Sequence, residues 1–140
     1  IQKSKTLTKT IKENEILITA DTIVAKDSKI LNKPKNEKEA FEMLSFLSYD
    51  VHDVITGVCI ADNEKRDAFS VKTKEYFKQL SEEEIHYYIK TYKPFDKAGA
   101  YGIQEWIGLI GIEKIHGSYF NVVGMPTQKL YQKLIQFVAK

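Results

Sequence analysis

The order of apolar and polar residues along the chain predicts strands and helices in alternation. Residues 16–25 form a nearly continuous apolar, β-branched run, which is typical of a strand buried on both faces. Two long strands are predicted at 51–61 and 67–79, on either side of the polar turn 62–66. The second long strand alternates apolar and polar residues, so the pair is interpreted as an antiparallel hairpin with one wetter face. A short apolar strand is also predicted at 109–115.

Capping residues mark where the helices begin. Asn36 is followed three residues later by Glu39, and Ser81 by Glu84, which is the pattern of a capping box. Pro126 fits the first turn of a last helix. Helices thus alternate with strands, and one pair of strands is antiparallel. The predicted fold class is α/β with a mixed β-sheet.

Composition limits the kind of protein that this chain can be. Its 140 residues are 43% hydrophobic and 29% charged, which is too apolar for a disordered chain. The length suits one compact domain, so residues 1–140 are interpreted as a single domain. No apolar run approaches the length of a membrane span, so a transmembrane protein is excluded and no membrane partner is expected.

Net charge and cysteine content narrow the setting. The formal charge of +2 and the pI near 8.5 lie below the range of typical nucleic-acid binders, so no nucleic-acid partner is expected. The single cysteine, Cys59, favours a reducing, cytoplasmic setting, and its apolar neighbours indicate a structural thiol. The chain begins at Ile1 without an initiator methionine or the apolar core of a signal peptide. We therefore expect it to be part of a longer protein.

An acid within an apolar strand is the first candidate for chemistry. Asp21 interrupts the run 16–25, and burying a carboxylate costs several kcal/mol, of the order of 5, unless it is paired or binds a metal. Either the strand emerges at an edge at this point, or the carboxylate has a partner. Asp21 is therefore a candidate site residue.

Other polar residues stand beside turns in a combination that suits a nucleotide. Lys33 and Lys97 supply the compact positive charge that phosphates favour, and Asp21 can bind a metal or activate a water. Gln104 both donates and accepts hydrogen bonds, as the edge of a nucleobase requires. A plain hydrogen-bonded core remains the alternative interpretation. The sequence contains no phosphate-binding P-loop, no G-x-G-x-x-G, no G-x-S-x-G and no H-E-x-x-H motif.

Several long, ordered motifs of this chain resemble those of one enzyme family. They are Ile-Thr-Ala-Asp-Thr-Ile-Val at 18–24, Leu-Asn-Lys-Pro at 31–34, His-Asp-Val-Ile-Thr-Gly-Val at 52–58, Asp-Lys-Ala-Gly-Ala-Tyr-Gly-Ile-Gln at 96–104 and Gly-Ser-Tyr-Phe-Asn-Val-Val-Gly-Met-Pro at 117–126. Together they resemble the Maf family of nucleoside triphosphate pyrophosphatases, from about Lys3 to the end of the chain. The Asp-Thr and Gly-Ile-Gln forms resemble the subfamily that prefers dTTP and UTP.

The resemblance implies a fold and an activity. The fold would be the two-lobed architecture shared with inosine triphosphatases, with the nucleotide in a central cleft. The reaction would be hydrolysis of a pyrimidine nucleoside triphosphate between the α and β phosphates, giving the monophosphate and pyrophosphate. The family members use a divalent metal, which would be Mg²⁺ or Mn²⁺, and usually form homodimers.

The resemblance also assigns roles to individual residues. Asp21 matches the catalytic aspartate, as general base or metal ligand. Lys33 matches the phosphate-binding lysine, and Lys97 matches the lysine of the later motif. Thr22 and Gln104 match positions tied to the choice of base. One further substrate-binding position is matched by Lys3.

One departure leaves a second function open. The family begins with a strand and a Ser-x-Ser-Pro-Arg-Arg loop that grips the triphosphate, and this chain starts after them, so we expect the domain to be N-terminally incomplete. The alternative is a non-catalytic nucleotide-binding or cell-division regulatory protein. A pyrophosphatase for modified purines is disfavoured by the Gly-Ile-Gln motif.

Overall fold

The structure, a computed structural model, describes residues 11–139, so the predicted substrate-binding residue Lys3 lies outside the described residues. The strands are β1 (Leu17–Lys26), β2 (Lys29–Leu31), β3 (Val51–Ala61), β4 (Arg66–Phe77) and β5 (Ile112–His116). The helices are α1 (Glu37–Leu47), α2 (Glu82–Tyr92), α3 (Trp106–Gly111), α4 (Tyr119–Val123) and α5 (Thr127–Val138), with a 3-10 turn at Ala98–Ala100. No helix in this part of the chain is both long enough and apolar enough to cross a membrane.

The strands form one five-stranded sheet in the order β2-β1-β3-β4-β5. Within residues 11–139 every neighbouring pair is antiparallel. The predicted hairpin is β3 and β4, and its first strand has the predicted bounds, Val51–Ala61. The α/β class is confirmed, and the described portion of the sheet is antiparallel.

One face of the sheet carries two groups of helices. Val24, Leu31 and Phe77 pack into a core with α1, α2 and α3. Further along the same face, Asn121 of α4 donates hydrogen bonds to the Val54 carbonyl and to the Thr73 hydroxyl. Thr73 and Phe77 share this face because side chains on a strand alternate. The two groups leave a cleft between them, which confirms the predicted two-lobed architecture with a central cleft.

The prediction that the first strand is buried on both faces is wrong. Of the ten residues of β1, only Val24 is buried, and Asp21 is exposed. The reason is that β1 lies next to the edge of the sheet, where the short β2 pairs with no more than Val24–Lys26 among the described residues. The exposed position of Asp21 matches the interpretation that the strand emerges at an edge there.

The predicted strand 109–115 is also wrong in its first half. Residues Trp106–Gly111 form the helix α3, and the strand β5 begins at Ile112. An apolar run of this length does not distinguish a buried strand from a buried helix by its pattern alone. Gly108 permits the helix, because a Cβ at this position would lie 2.0 Å from the Ile103 carbonyl oxygen.

The predicted starts of α1 and α2 are confirmed, whereas Pro126 immediately precedes α5 as its N-cap and does not lie in its first turn. The Asn36 side chain accepts a hydrogen bond from the Glu39 N–H at the start of α1. Ser81 and Glu84 form a complete capping box at the start of α2, with bonds of 3.0 and 2.9 Å. These local bonds satisfy backbone N–H groups that have no partner inside the helix.

Ser81→Ala should lower the free energy of unfolding by about 1 kcal/mol, because the Glu84 N–H loses its acceptor at the start of α2. Chemical denaturation measures the change. Ser45→Ala is the matched control, since Ser45 is exposed within α1 and alanine is the better helix former. Equal midpoints for the two variants would show that the capping box does not contribute.

Candidate active site

A cleft of about 550 Å³ opens between β1, the loop of residues 96–105 and α4. Five of the predicted site residues line it: Asp21, Thr22, Lys33, Lys97 and Gln104. The fold thus collects a carboxylate, two ammonium groups, a hydroxyl and an amide in one cavity. The role of each residue stays a prediction.

The edge of the sheet explains how two neighbours on β1 reach the same cleft. Asp21 lies opposite Gly57 of β3, and Thr22 lies opposite Thr56. Adjacent side chains on a strand start on opposite faces, so Thr22 faces the helices and Asp21 does not. Both still line the cleft, since within the described residues β2 pairs no further than Val24 and leaves the strand edge open at Asp21.

A buried polar network lies behind Thr22. The Thr22 and Thr56 hydroxyl oxygens are 2.9 Å apart, and Thr56 donates to the Asn121 carbonyl at 3.1 Å. The Asn121 amide in turn donates to the Val54 carbonyl at 3.1 Å and to Thr73 Oγ1 at 2.9 Å. Thr56, Thr73 and Asn121 are fully buried. The network therefore fixes α4, one wall of the cleft, to the sheet.

The two lysines come from loops that are joined by a hydrogen bond. Lys33 follows β2, and Lys97 precedes the 3-10 turn. The Gly99 N–H donates to the carbonyl of Asn32 at 3.3 Å, which links the two loops beside the cleft. The buried Pro34 anchors the first loop immediately after Lys33. Both ammonium groups are thereby carried to the same side of the cavity.

Carboxylates hold the Lys97 ammonium without enclosing it. Lys97 Nζ lies 3.3 Å from Asp96 Oδ1 and 4.0 Å from Glu105 Oε2. The hydrogen bond from Lys97 lowers the pKa of the Asp96 carboxyl, and the charge of Lys33 adds to the effect. Ion pairs this exposed contribute little to stability. A phosphate group can therefore compete for Lys97 at small cost.

Tyr88 fixes the backbone of the loop that carries Gln104. Its ring is fully buried, and its hydroxyl accepts a hydrogen bond from the Gly102 N–H at 3.1 Å and donates one to Glu105. Burial, followed by the bond to Glu105, raises the pKa of Tyr88. Gly102 also packs on the stem of Lys97, where a Cβ would lie 2.9 Å from Lys97 Cε.

A second tyrosine fixes the floor of the cleft. The Tyr101 hydroxyl donates to Glu75 and lies 2.6 Å from His52 Nε2, which is itself 2.9 Å from Glu75 Oε1. All three side chains are buried. Burial and the neighbouring Glu75 carboxylate raise the pKa of Tyr101 well above its ordinary value.

The turn before Tyr101 has an unusual backbone. Gly99 and Ala100 both adopt positive φ, at 73° and 66°, and both are buried. A Cβ on Gly99 would lie 3.1 Å from Val24 Cγ1, so the turn packs directly on β1. This close approach brings Lys97 and Gln104 next to Asp21 and Thr22.

A family match covers nearly the whole chain, because residues 1–137 match the family described as Maf-like protein. The chain belongs to the Maf family. The resemblance found in the sequence motifs is confirmed.

Individual Maf relatives carry a more specific name. A dTTP/UTP pyrophosphatase of Christiangramia forsetii is 53% identical over 134 residues, which cover 96% of this chain and 68% of that protein. A protein of the same name from Parabacteroides distasonis is 53% identical over 135 residues, covering 96% of this chain and 70% of that protein. A third, from Flavobacterium johnsoniae, is 52% identical over 128 residues, covering 91% and 66%.

Five residues of this Maf domain shape the site although sequence reasoning did not assign them a role there: Thr56, Tyr88, Tyr101, Glu105 and Asn121. The helical spacing of Tyr88 with Ile85 and Ile89 is typical of a core residue, and Tyr88 is buried. A buried tyrosine hydroxyl requires a partner, and that is the one signal that points beyond packing. The partners themselves are distant in sequence.

The described donor groups suit a metal that binds together with phosphate. Residues 11–139 contain no group of three or more histidine, cysteine, aspartate or glutamate side chains that could hold a metal ion. Mg²⁺ is commonly bound through one or two carboxylates and completes its shell with substrate phosphates and water. The exposed carboxylate of Asp21 on the cleft fits that manner of binding.

The two buried tyrosines should make the protein unfold at high pH. Both hydroxyls keep their proton in the folded state, whereas in the unfolded chain they lose it as pH rises through 10.0. Their contribution to stability is therefore complete below pH 10 and is lost above it, at about 1 kcal/mol per pH unit for each group. Urea unfolding between pH 8 and 11 measures the slope.

Tyr88→Phe and Tyr101→Phe should each reduce this alkaline slope, independently of their effect on stability at neutral pH. Tyr131→Phe removes a hydroxyl from the exposed surface of α5 and is the matched control. An alkaline slope that is the same in all three variants and in the unmodified protein would contradict the assignment.

Proposed function

We propose that this protein is a nucleoside triphosphate pyrophosphatase that hydrolyses dTTP and UTP. The observation that carries the proposal is the meeting of Asp21 with Lys33 and Lys97 in one cleft, beside Thr22 and Gln104. Relatives of the Maf family that are more than half identical to this chain are named for that activity. The cleft thus offers charged groups for phosphates and polar groups for a base.

The charged groups of the cleft, Asp21, Lys33 and Lys97, suit in-line displacement at a phosphate. Asp21 takes a proton from a water molecule, whose oxygen attacks the α-phosphorus. The bond from that phosphorus to the bridging oxygen breaks, and pyrophosphate leaves with the electron pair. Lys33 and Lys97 offset the negative charge of the phosphates, and preorganised charge of this kind is commonly the largest contribution to rate.

The exposure of Asp21 is compatible with this role. Water can reach an exposed carboxylate directly, so Asp21 can accept a proton from water without first losing a buried partner. Within the described residues nothing lies within 4 Å of a Cβ built on Gly57, the residue opposite Asp21.

The divalent cation is part of the same proposal. Asp21 would hold Mg²⁺ or Mn²⁺ together with phosphate oxygens of the substrate. Such an ion supplies charge neutralisation and orients the phosphates when bound. The cytoplasmic setting expected from the single cysteine and the homodimer expected from the family resemblance also belong to the proposal. Sedimentation analysis of the purified protein tests for the homodimer.

Asp21→Asn should abolish the release of pyrophosphate from dTTP and UTP by the full-length protein, with a loss of at least about a hundredfold in kcat. Asp27→Asn is the matched control, because Asp27 is exposed outside the cleft and its positive φ of 51° is tolerated by asparagine. Undiminished turnover in Asp21→Asn would refute the catalytic assignment. Nucleotide binding without turnover in the unmodified protein would favour the non-catalytic alternative.

Lys33→Gln and Lys97→Gln should each lower kcat/KM for dTTP by about tenfold or more, since each removes a positive charge that faces the phosphates. Steady-state assays at fixed ionic strength measure the loss. Lys29→Gln, at an exposed position of β2 outside the cleft, is the control for a general charge effect. If all three variants lose activity equally, the two cleft lysines have no specific role.

A further inference from the structure

The hydrogen bonds behind Thr22 determine in which direction its hydroxyl proton points. The Thr56 hydroxyl has one proton and lies 3.1 Å from the Asn121 carbonyl oxygen, which can accept but not donate. Thr56 therefore donates to Asn121. The remaining bond, 2.9 Å between the Thr22 and Thr56 hydroxyl oxygens, must then be donated by Thr22.

Burial prevents the alternative arrangement. If Thr56 gave its proton to Thr22, its oxygen would face the Asn121 carbonyl with lone pair against lone pair. Thr56 and Asn121 are completely buried, with 0% of each residue exposed. No bulk water can restore the lost bond, so that arrangement is disfavoured.

The position of the Asn121 carbonyl is itself fixed. The Asn121 side-chain amide donates to Val54 O and to Thr73 Oγ1, and the opposite amide orientation would place its oxygen against the Val54 carbonyl. The Gly124 N–H also donates to the Asn121 carbonyl at the end of α4. Strands and helix therefore hold this acceptor in place.

With its proton engaged behind it, Thr22 presents only oxygen lone pairs to the cleft. A ligand group that meets Thr22 must donate a hydrogen bond. Uracil and thymine carry an N–H between two carbonyl groups, whereas cytosine has a lone pair at the same ring position. The proton arrangement consequently favours the bases with the imide N–H.

We propose that Thr56 and Asn121 are positioning residues that hold Thr22 as an obligate acceptor for the imide N–H of uracil and thymine. This inference rests on the proposed function and deepens it, since it gives a physical reason for discrimination against cytosine nucleotides. Neither Thr56 nor Asn121 is required to touch the substrate.

The decisive experiment compares UTP with CTP across a set of variants of the full-length protein. Thr56→Val removes the hydroxyl that accepts the Thr22 proton, so Thr22 becomes free to donate to the cytosine lone pair. The preference for UTP, as a ratio of kcat/KM values, should fall by about tenfold, with a gain for CTP. Thr56→Ser keeps the hydroxyl and should retain the preference of the unmodified protein for UTP.

A double-mutant cycle separates this role from a structural one. Thr22→Val should lower the activity with UTP without a gain for CTP, and adding Thr56→Val should then change the ratio no further, because Thr56 acts through Thr22. Thr19→Val is the matched control on the same strand, since Thr19 Oγ1 has no hydrogen-bond partner in the described structure. It should leave the ratio unchanged.

Failure of the inference can be told apart from failure of the proposed function. Calorimetric binding of α,β-methylene analogues of UTP and CTP reports the preference whether or not the protein hydrolyses triphosphates. The positioning role is refuted if Thr56→Val keeps the original UTP-to-CTP preference, as Thr56→Ser is expected to do. It is also refuted if Thr56→Val changes that preference by the same factor in the Thr22→Val background as in the unmodified protein.

Discussion

The pairing of β1 with β3 is the constraint on which the candidate site depends. The register places Thr22 opposite Thr56 and Asp21 opposite Gly57. A slip of one residue would exchange the two faces of the strand, so the carboxylate would point towards the buried network and the hydroxyl towards solvent. The apolar neighbours oppose such a slip, because Val24 must reach the core beneath α1 and α2. The packing of Val24 near one end of β1 thus fixes the directions in which the Asp21 and Thr22 side chains point.

The cleft combines exposed ion pairs with a buried, hydrogen-bonded polar network. Lys97 is held by partly exposed carboxylates, from which a phosphate can take it at little cost. The groups around Thr22 are buried and joined to one another by hydrogen bonds, although Asn121 Oδ1 has no partner in the described structure. Charges that exchange partners suit a substrate that must be released, whereas a fixed hydrogen-bond pattern suits recognition of a base.

Features set by neighbours in sequence could be predicted, and features set by distant contacts could not. The caps at Asn36 and Ser81 depend on residues three positions away, and both were predicted correctly. The apolar run before the polar turn 62–66 also predicted the bounds of β3. By contrast, the strand expected at 109–115 is a helix in its first half, and the close approach of Gly108 to the Ile103 backbone that permits this helix is not visible in the pattern. The partners of Thr56 and Tyr101 lie 65 and 49 residues away in the chain, so their contribution to the site emerges with the tertiary structure.

Ala100 has a consequence for how such a site can change during evolution. A buried alanine at a φ of 66° costs more backbone energy than a glycine would, yet it restricts the loop to fewer conformations in the unfolded chain. Larger side chains have no room there, and glycine would allow the segment before Gln104 to sample other shapes. Only small residues therefore suit position 100. Glycine would have the lower backbone energy at this positive φ, whereas alanine allows the loop fewer conformations. Substitution at this position would therefore first disturb the backbone that leads to Gln104.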